Sequence, residues 1–384
     1  MDFELTEQQM MIRNMVRDFS EKEIAPVATE NNRNEHFPAE LVKRMGEMGF
    51  MGLNLPAEYG GGGADYTSYC VMTEELAQAD VGMAVTASSH ISLAGKSIAN
   101  WGTEQQKNKY LPKLSSGEML GCFGSTEPNV GSDVSSVETS AVLQGDKWVL
   151  NGNKMWITNG GVAGVAIIIA QTDKAKGSKG VTAFLVDRDT PGFSSMDIHN
   201  KLGMRSSNTA ELVLEDCCIP RENVLGAVGK GLSVALSAFD SARLGVAARS
   251  VGAAQACINA SVSYAQTRQQ FGKLIGGFQL IQELLADMQV ETEAARLLTY
   301  RAAAMKDKGN PATIETSMAK YYSSEIAFRV ANNALQIHGS YGYTDDYPVE
   351  RFLRDVRVSS ILEGTSQVHK LIIGRSLTGI NAFS

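Results

Sequence analysis

The sequence predicts an α+β fold in three parts: an N-terminal helical domain, a middle antiparallel β domain of barrel-like form, and a C-terminal four-helix bundle. Three observations carry this. Apolar residues recur at helical spacing in the first third of the chain. The stretch from about residue 119 to 225 changes to strand-like alternation with turn dipeptides. From Gly231 onward the texture is helical again, and no proline falls between Pro220 and Pro311. The predicted domains are therefore 1–118, 119–228 and 229–384.

The first helix begins at Thr6-Glu7-Gln8-Gln9, where Thr6 is placed to cap and Gln9 to reach back to it. Met10, Met11, Met15 and Phe19 follow, and Pro26 is expected to close the segment. Phe37-Pro38-Ala39-Glu40 predicts a second start, with the proline in the first turn. The run Gly60-Gly61-Gly62-Gly63 lacks a following Gly-Lys-Ser/Thr, so it reads as a connecting loop and not as a phosphate cradle. In the middle part, Asn151-Gly152 and Asn159-Gly160 predict hairpin turns. Val-Ala-Ile-Ile-Ile-Ala-Gln-Thr, Val-Thr-Ala-Phe-Leu-Val-Asp and Ala-Glu-Leu-Val-Leu-Glu-Asp predict further strands. In the last part, small-residue runs such as Ala-Ala-Arg-Ser-Val-Gly-Ala-Ala-Gln-Ala suit closely packed helices.

Composition excludes several classes. The formal net charge of −7 disfavours nucleic acid or an anionic membrane as the main partner. No apolar run of about 18 residues exists to span a bilayer. The five cysteines are scattered and form no Cys-x-x-Cys pair, and the five histidines lack ligand spacing, so neither a disulfide framework nor a metal site is expected. The acidic, polar N-terminus resembles no export or transit signal, and a reducing cytoplasm fits the cysteine usage.

Six stretches carry candidate chemistry. Cys122 to Ser136 gathers glycines and hydroxyls between Glu127 and Asp133, a loop able to meet a polar planar ligand or phosphates. Met155 to Gly161 places Trp156 and Thr158 on one strand face if the alternation is regular. Phe239 to Arg243 contains an Asp240/Arg243 pair at i,i+3. Thr267 to Lys273 joins two helices at Gly272 and carries Arg268 and Lys273. Gln336 to Asp355 breaks a helix at Gly339-Ser340-x-Gly342. Last comes Ile361-Leu362-Glu363-Gly364-Thr365-Ser366, where Glu363 stands just before a helix capped by Thr365 or Ser366. There the helix dipole favours its ionised form, while apolar flanks would push its pKa toward that of a general base.

In this order and spacing the stretches resemble the acyl-CoA dehydrogenase family over nearly the whole chain. Thr126-Glu127-Pro128-x-x-Gly131-Ser132-Asp133 resembles its first signature, Gln336 to Asp355 its second, and Glu363-Gly364-Thr365-Ser366-Gln367 its catalytic segment. The resemblance implies FAD, a homotetramer, α,β-dehydrogenation of an acyl-CoA thioester, and electron-transfer flavoprotein as partner. It implies that Glu363 removes the pro-R α-proton while the β-hydride passes to the flavin. Around the flavin ring it implies Phe123, Ser125, Thr126, Gly131, Ser132, Trp156, Ile157 and Thr158. For the FAD of a neighbouring subunit it implies Arg268, Gln270, Phe271, Phe278 and Gln279, with Gln336, Ile337, Gly339 and Ser340. Gly364, Thr365 and Gln367 would touch the cofactor beside the base. Ser132, Asp240, Arg243, Leu362, Glu363 and Gly364 would meet the substrate.

A branch of the family carries its base just before the arginine of the Phe-Asp-x-x-Arg motif. Here that position is Ala242, which cannot take a proton. Leu362 stands where an aromatic residue usually precedes the base, which alters the wall beside the α-carbon and points to an unusual acyl group, bulkier or cyclic; the substrate is expected to be a short, branched or cyclic acyl-CoA. Asn129-Val130 replaces a common Gly-Ala. Locally, Thr126 to Thr139 and the C-terminal Ile-Ile-Gly-Arg-Ser-Leu-Thr-Gly-Ile-Asn-Ala-Phe resemble the glutaryl-CoA dehydrogenase branch. That branch holds a distal carboxylate with an arginine in the helix before the β domain. The matching stretch here, Val81 to Ile98, has none, only His90 and Lys96, so neither a dicarboxylic substrate nor decarboxylation is expected. A 2-enoyl-CoA reductase or an oxidase on the same fold, and a CoA-binding protein without redox activity, are the alternative readings.

Overall fold

The computed structural model describes residues 4–382. The outermost residues of the first and last predicted domains, 1–3 and 383–384, lie outside that range. The N-terminal part consists of α1 (Glu7–Phe19), α2 (Ala25–Asn34), α3 (Ala39–Glu47), α4 (Tyr66–Ala79), α5 (Val81–Ser89), α6 (Lys96–Trp101) and α7 (Glu104–Ser115). The capping box forms as read: Thr6 Oγ1 accepts from the Gln9 N–H at 3.3 Å, and the Thr6 N–H donates to Gln9 Oε1 at 3.0 Å.

Pro26 does not close the segment. A wide turn at Ser20–Ile24 runs directly into α2, where Pro26 sits in the first turn. At that position its missing N–H has no helical partner to lose. The chain stops instead at Glu35, whose φ of 52° is left-handed. Pro38 caps α3 from outside and does not lie in its first turn. The glycine run is a loop pressed onto the chain: a Cβ at Gly62 would lie 2.7 Å from the Leu53 carbonyl oxygen.

The middle part holds β1 (Gly121–Gly124), β2 (Ser140–Gln144), β3 (Lys147–Thr158), β4 (Val165–Gln171), β5 (Val181–Asp187), β6 (Phe193–Asp197), β7 (Thr209–Pro220) and β8 (Val224–Leu225). Among the described residues the strand order is β6-β7-β3-β2-β4-β5-β8, with β1 against β4. The sheet is antiparallel except in two places. β1 pairs with β4 in parallel, and Ser140 of β2 makes one parallel pairing with Gln171. The first arises because β1 enters directly from the helical part and lies along the sheet without a preceding hairpin.

The turn between β2 and β3 falls at Gly145-Asp146, not at Asn151-Gly152. Asn151-Gly152 lies inside β3 at a register shift against β7. A Cβ at Gly152 would be 2.6 Å from Thr139 Oγ1, so glycine is needed there for close approach and not for a hairpin. Asn159, at φ 64°, does turn the chain after β3, but the next strand pairs elsewhere.

The C-terminal part contains α8 (Gly231–Thr267), a short hairpin of β9 (Gln269–Gln270) and β10 (Lys273–Leu274), α9 (Gln279–Asp307), α10 (Thr313–His338), α11 (Val349–Val356) and α12 (Ser366–Thr378). At ~1.5 Å per residue α8 is about 55 Å long. Its middle is buried all round, from Ser241 to Ala254. Small residues make this possible. A Cβ at Gly252 would collide with the Glu74 carbonyl oxygen of α4, and one at Gly245 with the Tyr69 hydroxyl. Helix α9 is tied to α4 by Glu74, which takes hydrogen bonds from Arg296 and the Tyr300 hydroxyl, each at 2.9 Å.

Between β1 and β3 lies a buried ion pair. Lys154 Nζ is 2.6 Å from Glu127 Oε1, with side chains 0% and 2% exposed. Glu127 also accepts from the Glu138 and Thr139 N–H groups. Burial pulls Lys154 down to about 8 against the attraction of Glu127. Burial alone would raise Glu127, but Lys154 and the backbone donors overcome it and hold it below its ordinary range. Lys154→Met, which strands the carboxylate, should cost about 3–5 kcal/mol in urea unfolding. Lys154→Met combined with Glu127→Gln should cost clearly less than the sum of the single changes.

Candidate active site

Three groups of predicted residues emerge. The first lies on β1, β3 and the loop between Gly124 and Val134. Phe123 is buried on β1, Ser125 is buried, Thr126 is half-buried, and Gly131 and Ser132 are exposed. The Met155 N–H donates to the Thr126 carbonyl at 2.9 Å and brings the loop against β3. The strand bulges between Lys154 and Ile157, with Trp156 in the left-handed region at φ 64°. The alternation is therefore broken here. Trp156 stands 61% exposed, Thr158 is half-buried, and Ile157 between them points into the core at 3%.

The second group sits at the far end of α8. Arg268 stacks over the Tyr341 ring at 5.4 Å, Phe271 meets Phe278 at 6.1 Å, and Tyr264 stacks on His338 at 4.4 Å. This draws Gln270, Phe271, Phe278 and Gln279 toward Gln336, Gly339 and Ser340. Ile337 is buried and offers its backbone alone. Phe271 is 93% exposed. Arg243 and Arg268 are about 37 Å apart along α8, so this group and the base, which feels Arg243, lie toward different ends of that helix.

The third group surrounds Glu363. Thr365 caps α12 by accepting from the Val368 N–H, and Gln367 lies exposed in its first turn. Glu363 and Gly364 both have left-handed φ, 54° and 91°. Two side chains absent from the sequence reading hold that turn. Lys320 of α10 is fully buried and donates to the Gly364 carbonyl at 2.6 Å. His369 of α12 is fully buried and donates from Nε2 to the Glu363 carbonyl at 3.2 Å. Burial lowers Lys320 to about 7, against the attraction of Glu363. Burial, with Lys320 and Arg243 nearby, lowers His369 to about 3, so the ring is neutral. The Glu363 carboxylate is held by charge: burial raises its pKa, against the pull of Arg249, Lys320 and Arg243. Burial thus outweighs the three cations.

The first and third groups meet along α8. Phe123 packs edge-on against Phe239 at 6.0 Å, one residue before Asp240. Asp240 pairs with Arg243 at 2.5 Å and accepts from the Thr313 hydroxyl at 2.8 Å. They line a cleft of about 480 Å³ with Leu236, Ile372 and Arg375. A larger cleft, about 580 Å³, lies between α2 and the β domain around Glu35, Lys201 and Arg205 and holds none of the predicted site residues. Leu362 is half-buried beside the base, and Ala242 is buried on α8.

His90 is spent on structure. It donates from Nε2 to the Leu114 carbonyl at 2.9 Å and accepts at Nδ1 from the Gly121 N–H at 3.0 Å. Burial lowers it to about 4. Lys96 lies over the Tyr66 ring at 5.1 Å, and Lys306 lies over the same ring at 4.8 Å. Burial and Lys306 lower it to about 8. Arg249, inside the Ala-rich run of 247–256, is legible in the sequence only as a lone charge among small residues. Lys320 and His369 carry no sequence signal beyond being charged or polar on apolar helices.

Family models of the acyl-CoA dehydrogenase N-terminal, middle and C-terminal domains match residues 6–118, 122–217 and 229–378. The chain is 46% identical over 373 residues to a short-chain specific acyl-CoA dehydrogenase of Clostridium acetobutylicum, covering 97% of this chain and 98% of that one. It is 45% identical to the acryloyl-CoA reductase (NADH) of Anaerotignum propionicum, covering 98% and 96%. The solved butyryl-CoA dehydrogenase of Megasphaera elsdenii superposes with a TM-score of 0.96 at 43% identity, covering 98% and 100%. The chain belongs to the acyl-CoA dehydrogenase family, whose enzymes depend on FAD.

The residues present fit that cofactor. Trp156 offers an open aromatic face, and the half-buried Thr126 and Thr158 carry hydroxyls on the adjoining loop and on the same strand. The raised pKa of Glu363 also makes a stability statement. Below the ordinary carboxylate pKa both folded and unfolded forms are protonated, and the cost is nil. It grows as pH rises through that value toward the raised folded pKa, and is complete above it. Glu363→Gln should therefore raise Tm at neutral pH, with the gain vanishing near about pH 4. Calorimetry across pH would measure this, and a gain that persists in acid would contradict it.

Proposed function

We propose that this chain is an FAD-dependent acyl-CoA dehydrogenase in which Glu363 takes the α-proton of a short, branched or cyclic acyl-CoA. The observation that carries the reading is the setting of Glu363: a half-buried carboxylate of raised pKa, on a left-handed turn pinned through its carbonyls, near enough to Arg243 and Arg249 of α8 to feel their charge. An α-C–H beside a thioester is a weak acid. A base of raised pKa is a better match for it than an ordinary carboxylate.

Asp240, Arg243 and the cleft would orient the CoA portion, with Ser132 beside the substrate. Lys320 and His369 would keep the turn from recoiling as the proton transfers. The Glu363 N–H is available to the thioester oxygen, where charge develops. FAD supplies the acceptor for the β-hydride when bound. Phe123, Ser125, Thr126, Gly131, Trp156, Ile157 and Thr158 would hold its ring, and Gly364, Thr365 and Gln367 its edge near the base. The remote group from Arg268 to Gln279, with Gln336 to Ser340, suits the cofactor of another copy, which supports a homotetramer. Electron-transfer flavoprotein is the proposed partner and the cytoplasm the proposed compartment. No helix of the described residues is long and apolar enough to cross a membrane.

The 45% identity to an acryloyl-CoA reductase supports a second direction through the same residues, with protonated Glu363 returning a proton to the α-carbon. Assays with acyl-CoA and with enoyl-CoA separate the two.

Glu363→Gln should lower turnover by about 10³-fold or more while FAD stays bound. Near-normal turnover with intact flavin would remove Glu363 from its role. Leu362→Tyr should cost bulky or cyclic acyl-CoAs about tenfold in kcat/KM and straight short ones far less. An equal loss across the panel would mean that Leu362 does not shape the acyl pocket.

A further inference from the structure

Arg249 is the buried cation left without a partner in this region. It is 2% exposed, and its Nε has no acceptor. Among the described residues no carboxylate lies within ion-pair distance of its guanidinium and no hydrogen bond reaches it. Its charge acts on Glu363 and on Tyr69. Its place on α8 is fixed by its neighbours. Gly245, one turn earlier on the same face, abuts the Tyr69 hydroxyl and Ser88 Cβ, and Gly252, just under one turn later, abuts Glu74 and Ala77. Arg249 therefore faces α4 and α5. It lies about 9 Å further along the helix than Arg243, away from the mouth of the Asp240/Arg243 cleft. Both Tyr69 and Ser88 are 1% exposed, so the surroundings are closed to bulk water.

An unpaired buried guanidinium is costly. Arg243 has Asp240 at 2.5 Å, but Arg249 must share the more distant Glu363 with Lys320 and Arg243. The buried charges gathered here are thus three cations, Arg249, Lys320 and Arg243, acting on one carboxylate, the proposed base. A second carboxylate arriving with the ligand would balance the excess and give the guanidinium a bidentate acceptor. This arginine comes from the bundle, not from the helix before the β domain.

Resting on the dehydrogenase reading, we propose that Arg249 is a specificity residue that binds a carboxylate carried on the acyl group, so that the preferred ligands are acyl-CoAs with a second carboxyl a few carbons beyond the thioester.

The test compares succinyl-, glutaryl- and adipyl-CoA with pentanoyl-, hexanoyl- and heptanoyl-CoA on the FAD-loaded wild type, Arg249→Gln and Arg249→Lys. The readouts are the ratio of kcat/KM within each pair and the Tm shift caused by each ligand. The wild type should favour at least one carboxylated member by about tenfold or more. Arg249→Gln should abolish or invert that ratio, and Arg249→Lys should retain part of it. A general loss of packing would lower both members of a pair and leave the ratio unmoved. A wild type that prefers the uncarboxylated members, or a preference unchanged in Arg249→Gln, overturns the proposal while leaving the dehydrogenase reading intact. Flavin that no acyl-CoA bleaches overturns both.

Discussion

One helix carries the constraint on which the rest depends. The middle of α8 is buried on every side, and it touches the first helical layer, the sheet and the bundle in turn. Such contact requires the partners to approach the helix backbone itself, which glycine and alanine permit at Gly245 and Gly252. The polar residues of the site ride on this axis. Asp240 and Arg243 occupy its early turns, beside the Phe123–Phe239 contact with β1, and Arg249 lies deeper. A helix packed this tightly cannot slide without dislocating three layers, so the spacing between the cleft residues and the inner arginine is set by the helical rise.

Buried cations in this molecule are used mainly to hold main-chain or carboxylate oxygens in place. Lys154 grips Glu127 beneath the Thr126 loop, and Lys320 grips the Gly364 carbonyl. Each is desolvated enough for its pKa to fall, to about 8 and about 7. That is the cost of fixing irregular backbone where regular secondary structure cannot reach. Asp355 does the same work from the other sign: it takes the Met204 N–H at 2.5 Å and ties the loop before β7 to α11. Two of these anchors, Lys154 and Lys320, lie at the loop and the turn that carry the candidate chemistry.

Much of this was legible from the chain. The change of period marked the helical, β and helical parts, Thr6 and Gln9 announced their capping box, and Glu363 stood out by its isolation. What failed did so for local reasons. Asn151-Gly152 satisfies a turn rule, but Thr139 crosses so closely that the glycine serves approach and the turn moved to Gly145. Pro26 reads as a stop, yet a preceding wide turn makes its missing N–H harmless. The parallel pairing of β1 depends on where the helical part releases the chain, which no local pattern encodes. Arg249, Lys320 and His369 were invisible because a charge on a helix is nearly always a solvated one. Only tertiary packing turns these three inward.

The anchoring of the Glu363 turn has a further consequence. Lys320 and His369 hold carbonyl oxygens, and neither bonds the carboxylate. The turn is therefore a socket whose fit does not depend on the group plugged into it. Reactivity at this position can change by exchanging one side chain while the mounting stays rigid. A lineage using this scaffold is free to alter its chemistry there without first rebuilding the loop.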